Sequence, residues 1–265
     1  MSQKCNKRVA QYAQLKIFIT THKGNNMKFT KSTLAAALLS ALSFSAMSAD
    51  VTIYGKANVT IQKSDDGSES VTEINSNASR IGLKGTHALE EGLEVVYQAE
   101  FEVHMDDGKS SSSKGSDTFE QRNVFIGLKG SFGTVLLGKR DTALKKSQGK
   151  IDLFSDLNGD IKNLWQGENR ESNSLVYLSP KFNGFSAALT YVAHEEDGVD
   201  DGISAAVHYG DAKLKKSNYF LSVAMDSEVD EHDVIRISGQ TKLGGVTVGA
   251  IYHSEEDIDG GGEMD

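Results

Sequence analysis

Hydrophobic and polar residues alternate strictly along much of the chain after residue 50. In residues 51–62, VTIYGKANVTIQ, the odd positions are apolar or small and the even positions are polar, Tyr54 among them. The same period of two recurs in residues 93–104 and 185–194. Because successive side chains of a strand point to opposite faces of its sheet, the pattern predicts strands with one apolar face and one face in contact with water.

The alternation predicts eleven strands and no amphipathic helix over this part of the chain. Most of these strands are about ten residues long, which is the length needed to cross a bilayer at a tilt of roughly 45°. The predicted strands are residues 51–62, 72–86, 93–105, 119–129, 132–141, 170–179, 184–194, 202–209, 217–225, 233–243 and 246–254.

Long polar loops and short turns alternate between the predicted strands. The long loops are residues 63–71, 106–118, 142–169, 195–201 and 226–232, and the short turns are residues 86–92, 130–133, 180–184, 210–216 and 243–245. Strands joined in this way form an up-and-down antiparallel sheet with tight turns at one end and long loops at the other. The pentapeptide IGLKG occurs at residues 81–85 and again 45 residues later, each time where a strand runs into a tight turn.

The face of the predicted sheet that contacts water carries many charged residues. Examples are Lys56, Arg80, Lys84, Glu94, Glu100, Lys129 and Arg236. A water-filled lumen accepts such side chains, whereas the packed core between the two sheets of a β-sandwich does not. The all-β pattern therefore favours a transmembrane up-and-down antiparallel β-barrel, and a secreted β-sandwich binding module is the alternative.

The first 49 residues differ in composition, with seven Lys or Arg residues and no Asp or Glu. Residues 27–49 combine Met27, two lysines, an apolar run and small residues at the end, which is the pattern of a secretory signal peptide. The apolar run is too short to span a bilayer as a helix. We expect residues 1–26 to be a non-structural extension, residues 27–49 to be removed, and residues 50–265 to form the barrel.

Charge and cysteine content exclude several classes of function. Removing those seven residues from the chain's 28 basic residues leaves 21 against 37 acidic residues, a net charge of −16. Nucleic acid is therefore not an expected partner, because phosphate binding needs a basic surface. The single cysteine, Cys5, precedes the mature chain, which leaves no disulfide and no thiolate metal site. No cofactor is predicted.

Five segments of the chain, read in order, are similar to one known family. They are ADVTIYGKANV, SRIGLKG, GLEVVYQAEFEV, FIGLKGSFGTVLLGKRDT and ESNSLVYLSPKFNGFSAALTY, which lie between residue 49 and about residue 191. Together with the strand pattern up to about residue 252, the chain resembles the Gram-negative general porins. The resemblance implies a sixteen-stranded barrel, a homotrimer in contact with outer-membrane lipid and lipopolysaccharide, and passive diffusion of small hydrophilic solutes and ions.

The resemblance also implies that residues 142–169 fold inward and narrow the channel. The basic candidates at this constriction are Arg80, Arg170 and either Lys139 or Arg140, and the acidic candidates are Asp156, Asp160 and Glu100. Alternation does not decide whether Lys139 or Arg140 faces the lumen.

Two further expectations concern completeness and chemistry. Eleven strands are odd in number and five short of the family's sixteen, and the sequence ends in the acidic segment HSEEDIDGGGEMD. We therefore expect a fragment that makes no working pore by itself. No G-x-S-x-G elbow or other catalytic motif is present, which predicts that the protein is not an enzyme. An outer-membrane barrel enzyme such as a lipid hydrolase is the remaining alternative, because spacing along the sequence cannot exclude a nucleophile.

Overall fold

The structure, a computed structural model, describes residues 49–65, 67, 69–108, 118–195 and 199–258. The predicted N-terminal extension and the predicted signal peptide, apart from its last residue Ala49, lie outside the described residues. So do parts of three predicted loops and the last seven residues of the acidic C-terminal segment.

Antiparallel strands make up most of the described chain. They are β1 (Ala49–Lys56), β2 (Val59–Asp65), β3 (Ser70–Ser76), β4 (Arg80–Glu90), β5 (Leu93–Val103), β6 (Phe119–Gly130), β7 (Gly133–Asp141), β8 (Arg170–Leu178), β9 (Phe185–Val192), β10 (Gly202–Gly210), β11 (Tyr219–Val229), β12 (His232–Leu243) and β13 (Val246–Asp257).

Eleven of these strands form one sheet in chain order, β1-β4-β5 and onward to β13. Neighbouring strands in this sheet are antiparallel, which confirms the predicted up-and-down arrangement. Within the described part of the chain, β1 pairs only with β4 and β13 only with β12, so the sheet is open at both of these edges.

The first two predicted strands are each broken in two. Residues 51–62 divide into β1 and β2, and residues 72–86 divide into β3 and β4, so that β2 and β3 pair only with each other. At the break, the Asn58 amide donates to Ser79 Oγ (2.9 Å) and the Asn77 amide donates to the Asn58 carbonyl (2.7 Å). Ala78 between them has a left-handed backbone, with φ of 51°. Alternation continues across this bend, so the sequence pattern did not reveal it.

Two predicted long loops are shorter than expected. Strand β2 extends to Asp65 and β3 begins at Ser70, which leaves four residues between these strands instead of the predicted nine. The prediction of a long loop at residues 226–232 is wrong, because only the two residues Asp230 and Glu231 join β11 to β12. The acidic composition of this stretch suggested a loop, but both turn residues adopt positive φ and let the strands continue.

The connection between β7 and β8, residues 142–169, packs against one face of the sheet, which we call the inner face. It contains a helix, α1 (Ala143–Ser147), and a 3₁₀ helix (Ile161–Asn163). The sequence pattern predicted no helix here, because five residues are too few to show a helical period. Thr142 caps α1 by accepting a hydrogen bond from the Lys145 amide (3.2 Å).

A row of alanines on the inner face receives α1. Ala188, Ala206 and Ala224 are cross-strand partners on β9, β10 and β11, and all three are buried. Their small side chains leave room for Leu144, which is completely buried against them. The Leu144 amide also donates to Ser204 Oγ (2.9 Å). This socket, Leu144 on the alanine row, fixes the N-terminal part of residues 142–169 on the inner face.

The two faces of the sheet have opposite character. The inner face buries polar residues such as Ser204, Ser222 and Ser238, whereas the opposite, outer face exposes apolar ones. Exposed outer residues include Ile53, Leu83, Ile126, Leu189, Leu221 and Ile237. An apolar surface this extensive indicates an apolar environment or a partner rather than water. None of the helices in the described ranges is both long and apolar enough to cross a membrane.

Candidate functional site

A charged cavity of ≈ 850 Å³ lies between residues 142–169 and the inner face. Its lining includes Lys56, Arg80, Arg122, Asp156, Lys162 and Arg170. The sheet contributes Lys56, Arg80, Arg122 and Arg170 to this lining but also the acids Glu102, Glu120 and Asp141, so residues 142–169 meet a wall that carries both signs of charge.

Arg80 of β4 binds an acid of the inward-folded loop. Its Nη2 lies 2.5 Å from Asp156 Oδ2, and Lys56 Nζ lies 3.0 Å from the same oxygen. Burial by itself raises the pKa of the Asp156 carboxyl, but the hydrogen bond from Lys56 and the charge of Arg80 hold that pKa below its usual value. Asp156 is therefore an anion at neutral pH, held by two cations of the wall.

Asp160, the second predicted loop acid, shapes the loop instead of meeting the wall. Its carboxylate accepts hydrogen bonds from the Asp156 amide (2.7 Å) and the Lys162 amide (2.9 Å). The side chain is buried and caps the 3₁₀ helix. Because Asp156 has a left-handed backbone, with φ of 69°, the hydrogen bond from Asp160 helps to hold it in the orientation that faces Arg80.

Glu100 of β5 lies in a second charge cluster on the same wall. It accepts hydrogen bonds from Tyr54 Oη (2.9 Å) and from Arg122 Nε (3.0 Å), and Arg122 Nη1 also contacts Glu102 Oε2 (2.6 Å). The structure thus places Glu100 against a basic residue that the sequence analysis missed. A signal was available, since both copies of IGLKG are preceded within four residues by an arginine, Arg80 or Arg122.

Arg170, at the start of β8, binds the last residue of β7. Its Nε donates to Asp141 Oδ1 (2.8 Å), and Lys146 Nζ contacts the other carboxylate oxygen. Asp141 is buried. Arg170 and Lys146 together carry more positive charge than the single carboxylate neutralises, so this cluster has a net positive charge beside the cavity.

The structure separates Lys139 from Arg140. Lys139 is the cross-strand partner of Val124, on the face that also carries the exposed Ile126 and Leu137, and so it belongs to the outer face. The Arg140 guanidinium lies 4.8 Å from the centroid of the Phe125 ring on the inner face. Arg140 therefore lies on the inner face and Lys139 on the outer face.

The two ends of residues 142–169 are held together. The Thr142 amide donates to the Asn169 carbonyl (3.2 Å), and Lys145 Nζ donates to the Glu168 carbonyl. Gln148 Nε2 donates to the Glu168 carboxylate (2.9 Å). Burial lowers the pKa of Lys145 to about 8, although the charge of nearby Asp141 opposes that shift. Hydrogen bonds thus join the first and last residues of the loop, and its middle part extends to β1 and β4.

Over the described ranges, no group of three or more His, Cys, Asp or Glu side chains is arranged to hold a metal ion. What the cavity offers is a lining of charged side chains of both signs, in which Asp156 of the loop directly contacts Arg80 and Lys56 of the sheet. Fixed charges around an aqueous cavity produce an electric field that acts on polar and charged solutes.

A family model described as Gram-negative porin matches residues 33–264. Among curated proteins, major outer membrane protein P.IB of Neisseria sicca is 34% identical over 201 residues, which cover 71% of this chain and 52% of that protein. The protein of the same name from Neisseria gonorrhoeae is 34% identical over 182 residues, covering 63% and 50% respectively. The chain spans about half the length of the curated relatives it matches.

The fold is also similar to that of solved structures. An anion-selective porin from Comamonas acidovorans matches with a TM-score of 0.65 and 23% sequence identity, over 77% of this chain and 67% of that chain. At this identity the likeness shows the fold alone.

Proposed function

The chain belongs to the Gram-negative porin family, and we propose that, together with further strands that close its sheet, it forms a channel for passive diffusion of small hydrophilic solutes and ions. The location is the outer membrane. The single observation that carries the proposal is the inward-folded loop, whose Asp156 contacts Arg80 and Lys56 of the inner wall while the outer face of the same sheet exposes apolar side chains.

This arrangement supports a constriction with charge on both sides. The proposed basic side comprises Arg80, Arg122, Arg140 and Arg170, and the proposed acidic contribution of the loop is Asp156. Asp160 supports the loop from within, and Glu100 neutralises part of the wall charge through Arg122. Lys139 lies on the outer face and is no longer a candidate for the constriction.

We further propose that the complete protein is a homotrimer in contact with outer-membrane lipid and lipopolysaccharide, and that it is not an enzyme. The exposed apolar outer face supports contact with lipid and with neighbouring subunits. A β-sandwich would bury an apolar face against a second sheet, whereas the residues described here leave that face uncovered. A lipid-hydrolysis assay on the purified protein tests the barrel-enzyme alternative, and we expect no turnover.

The charge of the wall is expected to set ion selectivity. The test needs a closed barrel, which we define as the completed channel: residues 49–258 followed by the C-terminal half of the Neisseria sicca relative. Replacing Arg80 and Arg170 together by Gln removes two positive charges and leaves Asp156 and Asp141 less compensated. We expect the reversal potential in a salt gradient to move toward cation selectivity and the unitary conductance to rise.

Lys139→Gln is the matched control, because it removes a positive charge from the outer face of a neighbouring strand. Its reversal potential is expected to equal that of the parent channel, whereas Arg140→Gln is expected to shift the potential in the same direction as the double variant. An unchanged potential in the Arg80 and Arg170 variant would show that these arginines do not act on permeating ions.

A further inference from the structure

The inward-folded loop is attached to the sheet at a second place, near its C-terminal end. Arg236 of β12 is completely buried there. Its Nη1 donates to Glu168 Oε1 (2.5 Å) and its Nη2 to the Gln166 carbonyl (3.1 Å). Its Nε donates to Nδ1 of His253 on β13 (3.2 Å). Because a guanidinium presents its donors in a rigid fork, this one side chain holds the loop and the neighbouring strand together.

These contacts define the protonation state of His253. The Nε of Arg236 always carries a hydrogen, so Nδ1 of the imidazole must be the acceptor. The ring hydrogen then sits on Nε2, which donates to Glu255 Oε2 (2.9 Å). The same oxygen of Glu255 accepts a hydrogen bond from the Gln166 amide (2.8 Å). Only neutral His253 completes this network.

Trp165 adds an aromatic contact to the network. Its ring stacks on the His253 imidazole, with centroids 5.1 Å apart and planes inclined by 9°. It is also the single tryptophan of the chain. We call the whole cluster the latch; its members are Trp165, Gln166, Glu168, Arg236, His253 and Glu255.

A proton on Nδ1 of His253 removes the acceptor for Arg236 and places a second positive charge beside a guanidinium that has no access to water. Glu255 on β13 favours the imidazolium, but it already accepts the Nε2 hydrogen in the neutral state. The other charged or titratable groups that face the cluster are Glu168 and Lys145 from the loop, Asp226 from β11 and His232 from the start of β12. Protonation of His253 therefore opens the latch, because the hydrogen bond from Arg236 to Nδ1 is lost and no new bond to Glu255 replaces it.

We propose that Arg236 and His253 are positioning residues that hold the C-terminal part of the loop on the wall, and that uptake of a proton by His253 releases it. The latch itself does not depend on the proposed function. Only the consequence that a released loop changes the width of the channel rests on the proposed function. Glu168 acts in the opposite direction. Burial raises the pKa of its carboxyl, and the charge of Arg236 offsets this only in part, so protonating Glu168 relieves a buried charge and does not open the latch.

Fluorescence of Trp165 tests the latch without a pore. The chain is refolded in detergent micelles and titrated from about pH 8 to about pH 5, the range in which histidine changes charge. At the upper end we expect the indole to be shielded from acrylamide. Acidification is expected to shift the emission to longer wavelength and to raise acrylamide quenching toward the value of the urea-unfolded chain.

Two variants separate positioning from general stability. In His253→Gln the side-chain oxygen accepts from Arg236 and the amide donates to Glu255, without any titrating group, so the indole should stay shielded over the whole pH range. Arg236→Lys keeps the charge but loses the Nε donor, so the indole should be exposed even at the upper end. If His253→Gln fails to give the far-UV circular dichroism of a folded chain, His253→Asn replaces it, because asparagine also offers an acceptor oxygen and a donor amide and cannot titrate.

His232→Gln is the matched control. His232 is bound to Asp257 (3.0 Å) and is not part of the latch, so this variant should titrate like the parent chain. The proposal is overturned if the Trp165 fluorescence of His253→Gln changes with pH as it does in the parent chain. It is also overturned if the parent chain is folded and its Trp165 fluorescence does not change with pH. Conductance of the completed channel over the same pH range is a separate readout. A latch that titrates while conductance stays constant supports the latch and overturns the role of the loop as a constriction.

Discussion

The chain from residue 50 to residue 265, refolded in detergent and added to a planar bilayer, is expected to give no stable conductance steps. In its described part, β1 and β13 each pair on one side only. Lipid supplies no hydrogen bonds, and each unsatisfied backbone group costs several kcal/mol there, so two free edges cost on the order of tens of kcal/mol.

Direct pairing of the two edges does not remove this cost. In an up-and-down sheet of eleven strands, β1 and β13 run in the same direction, whereas bacterial single-chain barrels close with an even number of antiparallel strands. The completed channel is the control, and we expect it to give stable steps. Stable steps of porin size from residues 50–265 alone would contradict the closure argument.

Leu144→Asp is expected to free the N-terminal part of the loop from the inner face. Leu144 is completely buried on the alanine row, and truncating a core leucine costs about 2–5 kcal/mol. The new carboxylate would have no partner in the socket and would lie on the same face as buried Asp226, the cross-strand partner of Ser204. A loss of about 2 kcal/mol corresponds to about 30-fold more of the released state.

Trypsin reports this release, because Lys145 and Lys146 directly follow Leu144. Cleavage after these lysines, followed by mass spectrometry on the chain in detergent micelles, should accelerate by at least the same factor. Leu153→Asp is the matched control, since Leu153 belongs to the same loop and is 85% exposed, and its cleavage rate should equal that of the parent chain. If Leu144→Asp is cleaved at the parent rate, the alanine row does not hold the loop.

Alternation predicted the strands of the main sheet closely. Strand β5 was expected at residues 93–105 and spans Leu93–Val103, and β7 was expected at residues 132–141 and spans Gly133–Asp141. Side-chain direction along a strand depends only on the local backbone, so a single sequence contains it. The prediction failed where the chain passes from one pairing partner to another while the alternation of polar and apolar residues continues, as at the break between β1 and β2.

The site was predictable only in part, for a similar reason. Arg80 and Asp156 were both candidates, but their contact joins residues 76 positions apart and depends on the path of the loop. The sequence could not distinguish Asp160 from Asp156. The residues next to an aspartate do not show whether its carboxylate binds backbone amides of its own loop, as in Asp160, or contacts the wall, as in Asp156.

By itself, the sequence determined the period of the strands, the charged inner face and the apolar outer face, because these follow from residue type and position along one strand. The tertiary structure decided which charges meet. The latch joins Arg236 to Glu168 across 68 residues, and Arg122 reaches Glu100 only where β5 and β6 shift register. Such contacts depend on how segments that are far apart in the sequence pack together, and no local pattern in the sequence contains that information.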